Sequence, residues 1–176
     1  MLRLGSKGVQ MVFLALCVAL GGADAAHGAD TVYLLATGQQ QGSIRGDATL
    51  PAFRDHIEVY EIHHLIRAES GTKEHEPLIF TKQIDRSSPN LYRAMDTNEL
   101  LTLEFKYVRR SFEGQIEQFY NVRLISARIV GIEPITRNNL EPENLQLPHM
   151  ERVRANYQRI EISHLPSGGG AILEPR

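Results

Sequence analysis

Residues 100–110 give the cleanest alternation in the chain. Leu101, Leu103, Phe105 and Tyr107 fall on one side, and Thr102, Glu104 and Lys106 on the other. Only an extended chain places every second side chain on one face. The segment is therefore predicted as an antiparallel strand with one face buried and one wet. A period of two recurs along most of the chain from Thr31 onward, so the predicted fold class is mainly β.

Further strands are expected over 31–37, 55–67, 77–84, 116–125 and 149–164. Within 55–67 the apolar parity switches between Val59 and Ile62, which predicts a bulge or a strand buried on both faces. The strand over 116–125 is expected to continue, bent, through Ile129, Val130 and Ile132. Phe112-Glu113-Gly114-Gln115 reads as its hairpin turn. The stretches 38–46 and 133–148 read as loops, and a flexible C-terminal tail is expected from about residue 166. One segment breaks the β pattern. Ser87 and Ser88 offer an N-cap, Pro89 suits the first helical turn, and Leu91, Ala94 and Met95 share a helical face. A short α-helix is predicted over about 88–97, covering one opening or side of the β structure.

The N-terminus has a different character. Arg3 and Lys7 precede an uninterrupted apolar run over 11–20, followed by Gly21, Gly22, Ala23, Asp24 and Ala25. A basic start, a short apolar centre and small residues two apart make a secretory signal peptide. The apolar run is half the roughly 20 residues a spanning helix needs, so no stable membrane insertion is expected. Cleavage is expected after Ala25. Removing residues 1–25 from the 176 leaves a single 151-residue domain, 26–176. Loss of Arg3, Lys7 and Asp24 moves the net charge from −2 to −3, which gives no drive toward nucleic acid. The one cysteine, Cys17, lies in the leader, which excludes a disulfide framework or a Cys-rich zinc module in the mature domain. The predicted destination is the periplasm or the exterior.

Reactive chemistry finds little support. His63 and His64 are adjacent in a predicted strand and should face opposite sides. His149 and Glu151 could share a strand face, but a third ligand would have to come from a distant place such as His164 or His75, and no H-E-x-x-H or cysteine pair is present. Lys82, Asp85, Ser87 and Ser88 read as a strand-to-helix turn rather than a catalytic group. Arg45-Gly46-Asp47 reads as a turn rather than an adhesion tripeptide. Arg152 and Arg154 share a strand face suited to salt bridges. No catalytic, cofactor-binding or metal-ligating residue is predicted, and no cofactor.

A series of segments stands in a distinctive order: Gly42-Ser43-Ile44-Arg45-Gly46-Asp47, Asp55-His56-Ile57-Glu58-Val59, and His75-Glu76-Pro77-Leu78 followed by Thr81-Lys82-Gln83-Ile84-Asp85-Arg86-Ser87-Ser88-Pro89. Further on come Phe119-Tyr120-Asn121-Val122, Ala127-Arg128-Ile129-Val130 and Leu147-Pro148-His149-Met150-Glu151. Together, over roughly Thr31 to Ser167, they resemble the Hcp family, the hemolysin-coregulated tube protein of bacterial type VI secretion systems. The resemblance implies a small antiparallel β-barrel of two packed sheets with one flanking helix. It also implies a non-enzymatic structural protein of hexameric rings that stack into a tube or carry small effectors. Its implied partners are other copies of itself, type VI secretion components and small effectors. The chain departs from the family pattern in carrying a leader and in lacking a C-terminal tryptophan, so a divergent exported member is expected. Two other readings are an exported β-barrel binding module that forms no tube, and a His-dependent metallohydrolase.

Overall fold

The computed structural model describes residues 30–69 and 71–175. The predicted leader lies outside them. In chain order the elements are β1 (Asp30–Gly38), β2 (Gly42–Ile44), β3 (Ile57–His63), β4 (Ile66–Glu69), β5 (Thr72–His75), β6 (Leu78–Gln83), α1 (Ser88–Asp96), β7 (Leu101–Arg110), β8 (Ile116–Ile135), β9 (Met150–Asn156), β10 (Arg159–His164) and β11 (Gly169–Leu173).

The sheet closes on itself. Strands β7, β1, β3, β6 and β9 pair in that order, all antiparallel, and β8 pairs with both β7 and β9. Closure removes free edges within this ring of strands, and β10 continues the sheet outward from β8. The alternating faces explain the core. Leu101, Leu103 and Phe105 of β7 meet Leu34 and Ala36 of β1, Ile57 of β3, Phe80 of β6, Leu124 of β8 and Val153 of β9. Phe80 and Phe105 cross edge to face with centroids 5.4 Å apart, an arrangement that aromatic quadrupoles favour. The parity switch in β3 is a real irregularity, because its register against β6 shifts between Val59 and Glu61.

Strand β8 is one 20-residue element with a bend. Its first part pairs with β7 and β10, and its second part, from Arg128 to Ile135, with β9. Ser126 sits at the junction with φ +52°, a conformation that re-aims the backbone. The strand runs past the expected loop boundary at residue 133.

The bend explains a second difference. The expected single strand over 149–164 is two, β9 and β10, separated at Tyr157 and Gln158. One straight strand cannot follow both halves of a bent partner, so the chain breaks and pairs with each half separately. The segment expected as a flexible tail also differs. Residues Gly169–Leu173 form β11 on the outer edge of β10, where unpaired backbone groups were available. The expected strand over 55–67 ends at His63. Ile66–Glu69 and Thr72–His75 pair as a separate two-stranded sheet, the β4–β5 hairpin, outside the main sheet.

Helix α1 follows β6 and lays Leu91 and Ala94, both fully buried, on the barrel core, with Met95 partly buried beside them. The serine cap differs from expectation. Ser87 makes no side-chain cap bond to the helix. Instead Asp85 Oδ1 accepts from the Ser87 N–H at 2.9 Å and from its hydroxyl at 2.5 Å. The helix ends at Asp96, and just past its cap Asn98 takes φ +52°. Outside the barrel, the segment around Phe53 folds back on β1, and the Phe53 ring stacks on Tyr33 with centroids 4.5 Å apart.

Candidate functional site

Three polar constellations stand out. The first is centred on Lys82, whose side chain is fully buried. Its Nζ lies 2.8 Å from Asp85 Oδ1, 2.8 Å from Glu151 Oε1, 3.0 Å from Ser88 Oγ and 2.7 Å from the Gln83 carbonyl. The Ser88 hydroxyl donates to Glu151 Oε1 at 2.8 Å and accepts from the Asp85 N–H at 3.1 Å. A hydroxyl has one proton and two lone pairs. All three are engaged here, and Ser88 is buried, so it cannot act as a nucleophile. A lysine that serves as a base must be neutral, whereas this one faces two carboxylates. The cluster ties β6, the helix start and β9 together. Lys82, Asp85 and Ser88 are legible as a turn, whereas Glu151, offered by the sequence only as a neighbour of His149, lies 69 residues beyond Lys82 with no local signal of this pairing.

The second constellation holds the loop that carries Arg45-Gly46-Asp47. Arg86 donates to the Gly46 carbonyl at 2.6 Å and pairs with Asp47 and Asp55. A side chain on Gly46 would meet the His56 carbonyl and Ile57 Cα at 2.5 Å, so the backbone is packed there. Gly46 and Asp47 are thus held by Arg86, in an irregular stretch after β2 rather than the expected turn, while the largely exposed Arg45 meets Asp55 at 3.9 Å. On the Asp55 carboxyl, the hydrogen bond from Arg86 is the largest influence and holds its pKa below the usual range.

The third is Glu99, 2% exposed. It accepts from the backbone N–H groups of Gln40 and Gln41 at 2.6 and 2.9 Å and from the Gln41 side chain at 2.7 Å. Burial pushes its carboxyl up, but these hydrogen bonds outweigh burial and the net shift is downward. The carboxylate pins the β1–β2 turn. It also explains Gly38, where a side chain would collide with Glu99.

The histidines scatter. His63 Nε2 meets Glu61 at 2.9 Å, His164 Nδ1 meets Ser167 Oγ at 2.8 Å, and His149 lies exposed beside Pro148 and Ile84. Glu151 is turned onto Lys82 and so does not join His149. Among the described histidines only His64 and His75 converge, on the Tyr157 hydroxyl. Among the described residues no group of three or more metal-ligating side chains could hold an ion. Arg152 and Arg154 share one acid, Glu133, at 3.7 and 3.2 Å.

These clusters lie in a closed antiparallel barrel with one flanking helix, and that fold has known counterparts. Residues 33–164 match the family described as "Type VI secretion system effector, Hcp", and the chain belongs to the Hcp family, whose members are secreted structural proteins rather than enzymes. A relative from Pseudomonas aeruginosa, "Major exported protein", is 29% identical over 158 residues, covering 80% of this chain and 92% of that one. Among solved structures, the secreted protein Hcp3 from Pseudomonas aeruginosa superposes with a TM-score of 0.73 at 26% identity, over 84% of this chain and 99% of that one. A double mutant of Hcp1 from Escherichia coli EAEC 042 gives 0.70 at 26% identity, over 82% and 96%. Among the described residues no helix is long and apolar enough to cross a membrane.

Proposed function

We propose that this protein is the subunit of a homo-hexameric ring that serves type VI secretion, as a tube segment, an exported component or a carrier of small effectors held within the ring. The observation that carries the reading is the family match over residues 33–164. A closed barrel suits the role, because a ring joins one face of each subunit to a different face of the next and needs rigid walls. Its partners are other copies of itself, with secretion components and effectors as further ones. The domain reading is a leader over 1–25 and a single domain over 26–176.

Electron microscopy of the mature protein purified from its host should show six-fold rings. A species that stays monomeric by light scattering at high concentration would sink the reading. The leader favours a second one, in which the exported barrel binds a partner without forming a ring. A stable monomer or dimer that keeps the barrel would support it.

A further inference from the structure

The β4–β5 hairpin is a sheet of its own, hydrogen-bonded to no barrel strand. At its root the Glu76 N–H donates to the Leu65 carbonyl at 3.0 Å, and Ile66 pairs with His75. Its side-chain hold on the barrel is a relay. His64 Nε2 lies 2.7 Å and His75 Nδ1 2.8 Å from the Tyr157 hydroxyl, and both rings stand edge-on to the phenol, 5.5 and 5.7 Å away. Tyr157 occupies the β9–β10 junction, is 8% exposed, and belongs to the core.

The protons on this relay can be assigned by counting. Burial pushes the Tyr157 pKa up to about 12, so its oxygen carries one proton and can donate once. One imidazole must therefore receive that proton and the other must donate to the oxygen. His75 Nε2 is buried without a hydrogen-bond partner. A buried N–H left unpaired is costly, and a bare lone pair is the lesser cost. His75 thus carries its proton on Nδ1 and donates to Tyr157, and Tyr157 donates to His64 Nε2. A proton added to His64 Nε2 turns the receiver into a donor. Two N–H groups then face one hydroxyl, whose own proton has no acceptor.

We infer that the β4–β5 hairpin is docked on the barrel by a proton-sensitive latch, His75 to Tyr157 to His64, which opens when His64 is protonated. The surrounding charges fit this direction. From the hairpin root Glu76 faces His64 and favours its charged form, but Glu76 is itself held by Arg67. On the barrel side the group packed against both rings is the neutral phenol. Burial is the largest influence on His64, followed by His75, and the net effect is to lower its pKa below the usual 6.5. A group with a lowered folded pKa is neutral in the latched state. The latch is fully present above pH 6.5 and is lost as pH falls below it.

The test is amide hydrogen exchange on the full exported protein at about pH 7.5 and about pH 5, corrected for intrinsic rates. Protection of the Glu76 amide should fall by about tenfold or more at the lower pH, a change of about 1.4 kcal/mol in local opening, while the Leu103 amide in the barrel stays protected. His64→Gln, whose carbonyl accepts from Tyr157 and never charges, should abolish the fall. Tyr157→Phe should leave the root open at both pH values. Equal Glu76 protection at both pH values in the parent, or the same fall in His64→Gln, overturns the proposal. Should Tyr157→Phe fail to fold, His64→Gln decides alone.

Discussion

Lys82 shows how much one side chain can organise. Its ammonium is fully buried and engages two carboxylates, a hydroxyl and a carbonyl. Removing one partner of a buried pair leaves the other charge without compensation, at a cost of about 3–5 kcal/mol. Lys82→Met should therefore lower the urea-unfolding free energy by about that amount. Glu151→Gln should cost less, because Asp85 still faces the ammonium. A Lys82→Met protein as stable as the parent would show that the cluster holds nothing together. The sequence made half of this site legible. Lys82, Asp85 and Ser88 are neighbours at a turn, and their spacing marked a strand running into a helix. Glu151 arrives from the other end of the chain, and only the β6–β9 pairing, Lys82 beside Glu151, brings it there. The meeting of His64 and His75 at Tyr157 was hidden for the same reason, since Tyr157 stands 93 residues from His64.

At the scale of elements, local rules worked where a single partner surface decides the pattern. The alternation in β7 and the apolar face of α1 were both readable, because each element lies on one core. Leu91 anchors that face of the helix and is fully buried. Leu91→Ala should cost about 2–5 kcal/mol from lost burial and the cavity left behind. The adjacent Tyr92→Ala, with Tyr92 37% exposed, should stay within about 0.5 kcal/mol. Thermal and urea unfolding of the two variants side by side would check this, and equal losses would place the helix wrongly. Reading failed where an element changes partners. Periodicity alone cannot show that β8 serves three strands, so the break at Tyr157 and Gln158 went unseen. β11 was missed because Ser167 to Gly170 carries turn residues, while its strand character comes from the free edge of β10.

For the molecule as a whole, the barrel and the proposed leader make separate demands. The leader reading predicts that N-terminal sequencing of protein from the periplasm or medium of its host will begin near Ala26. An intact Met1 confined to the cytoplasm would remove the leader and favour assembly before export. The barrel carries its own constraint on such a route. Its first strand pairs over its full length with β7, Asp30 beside Arg109, and the wall is completed only when residues of β9 reach β6 and β8. Almost none of the closing contacts is local in sequence. Chains with such distant pairings fold in about milliseconds to seconds, slowly for their size. A polypeptide threaded N-terminus first through a membrane must stay unfolded until it has crossed. Here the topology itself supplies that delay, since the barrel cannot close before residue 156 has arrived. The strands of the barrel carry no cysteine, so its closure has no oxidation step to wait for.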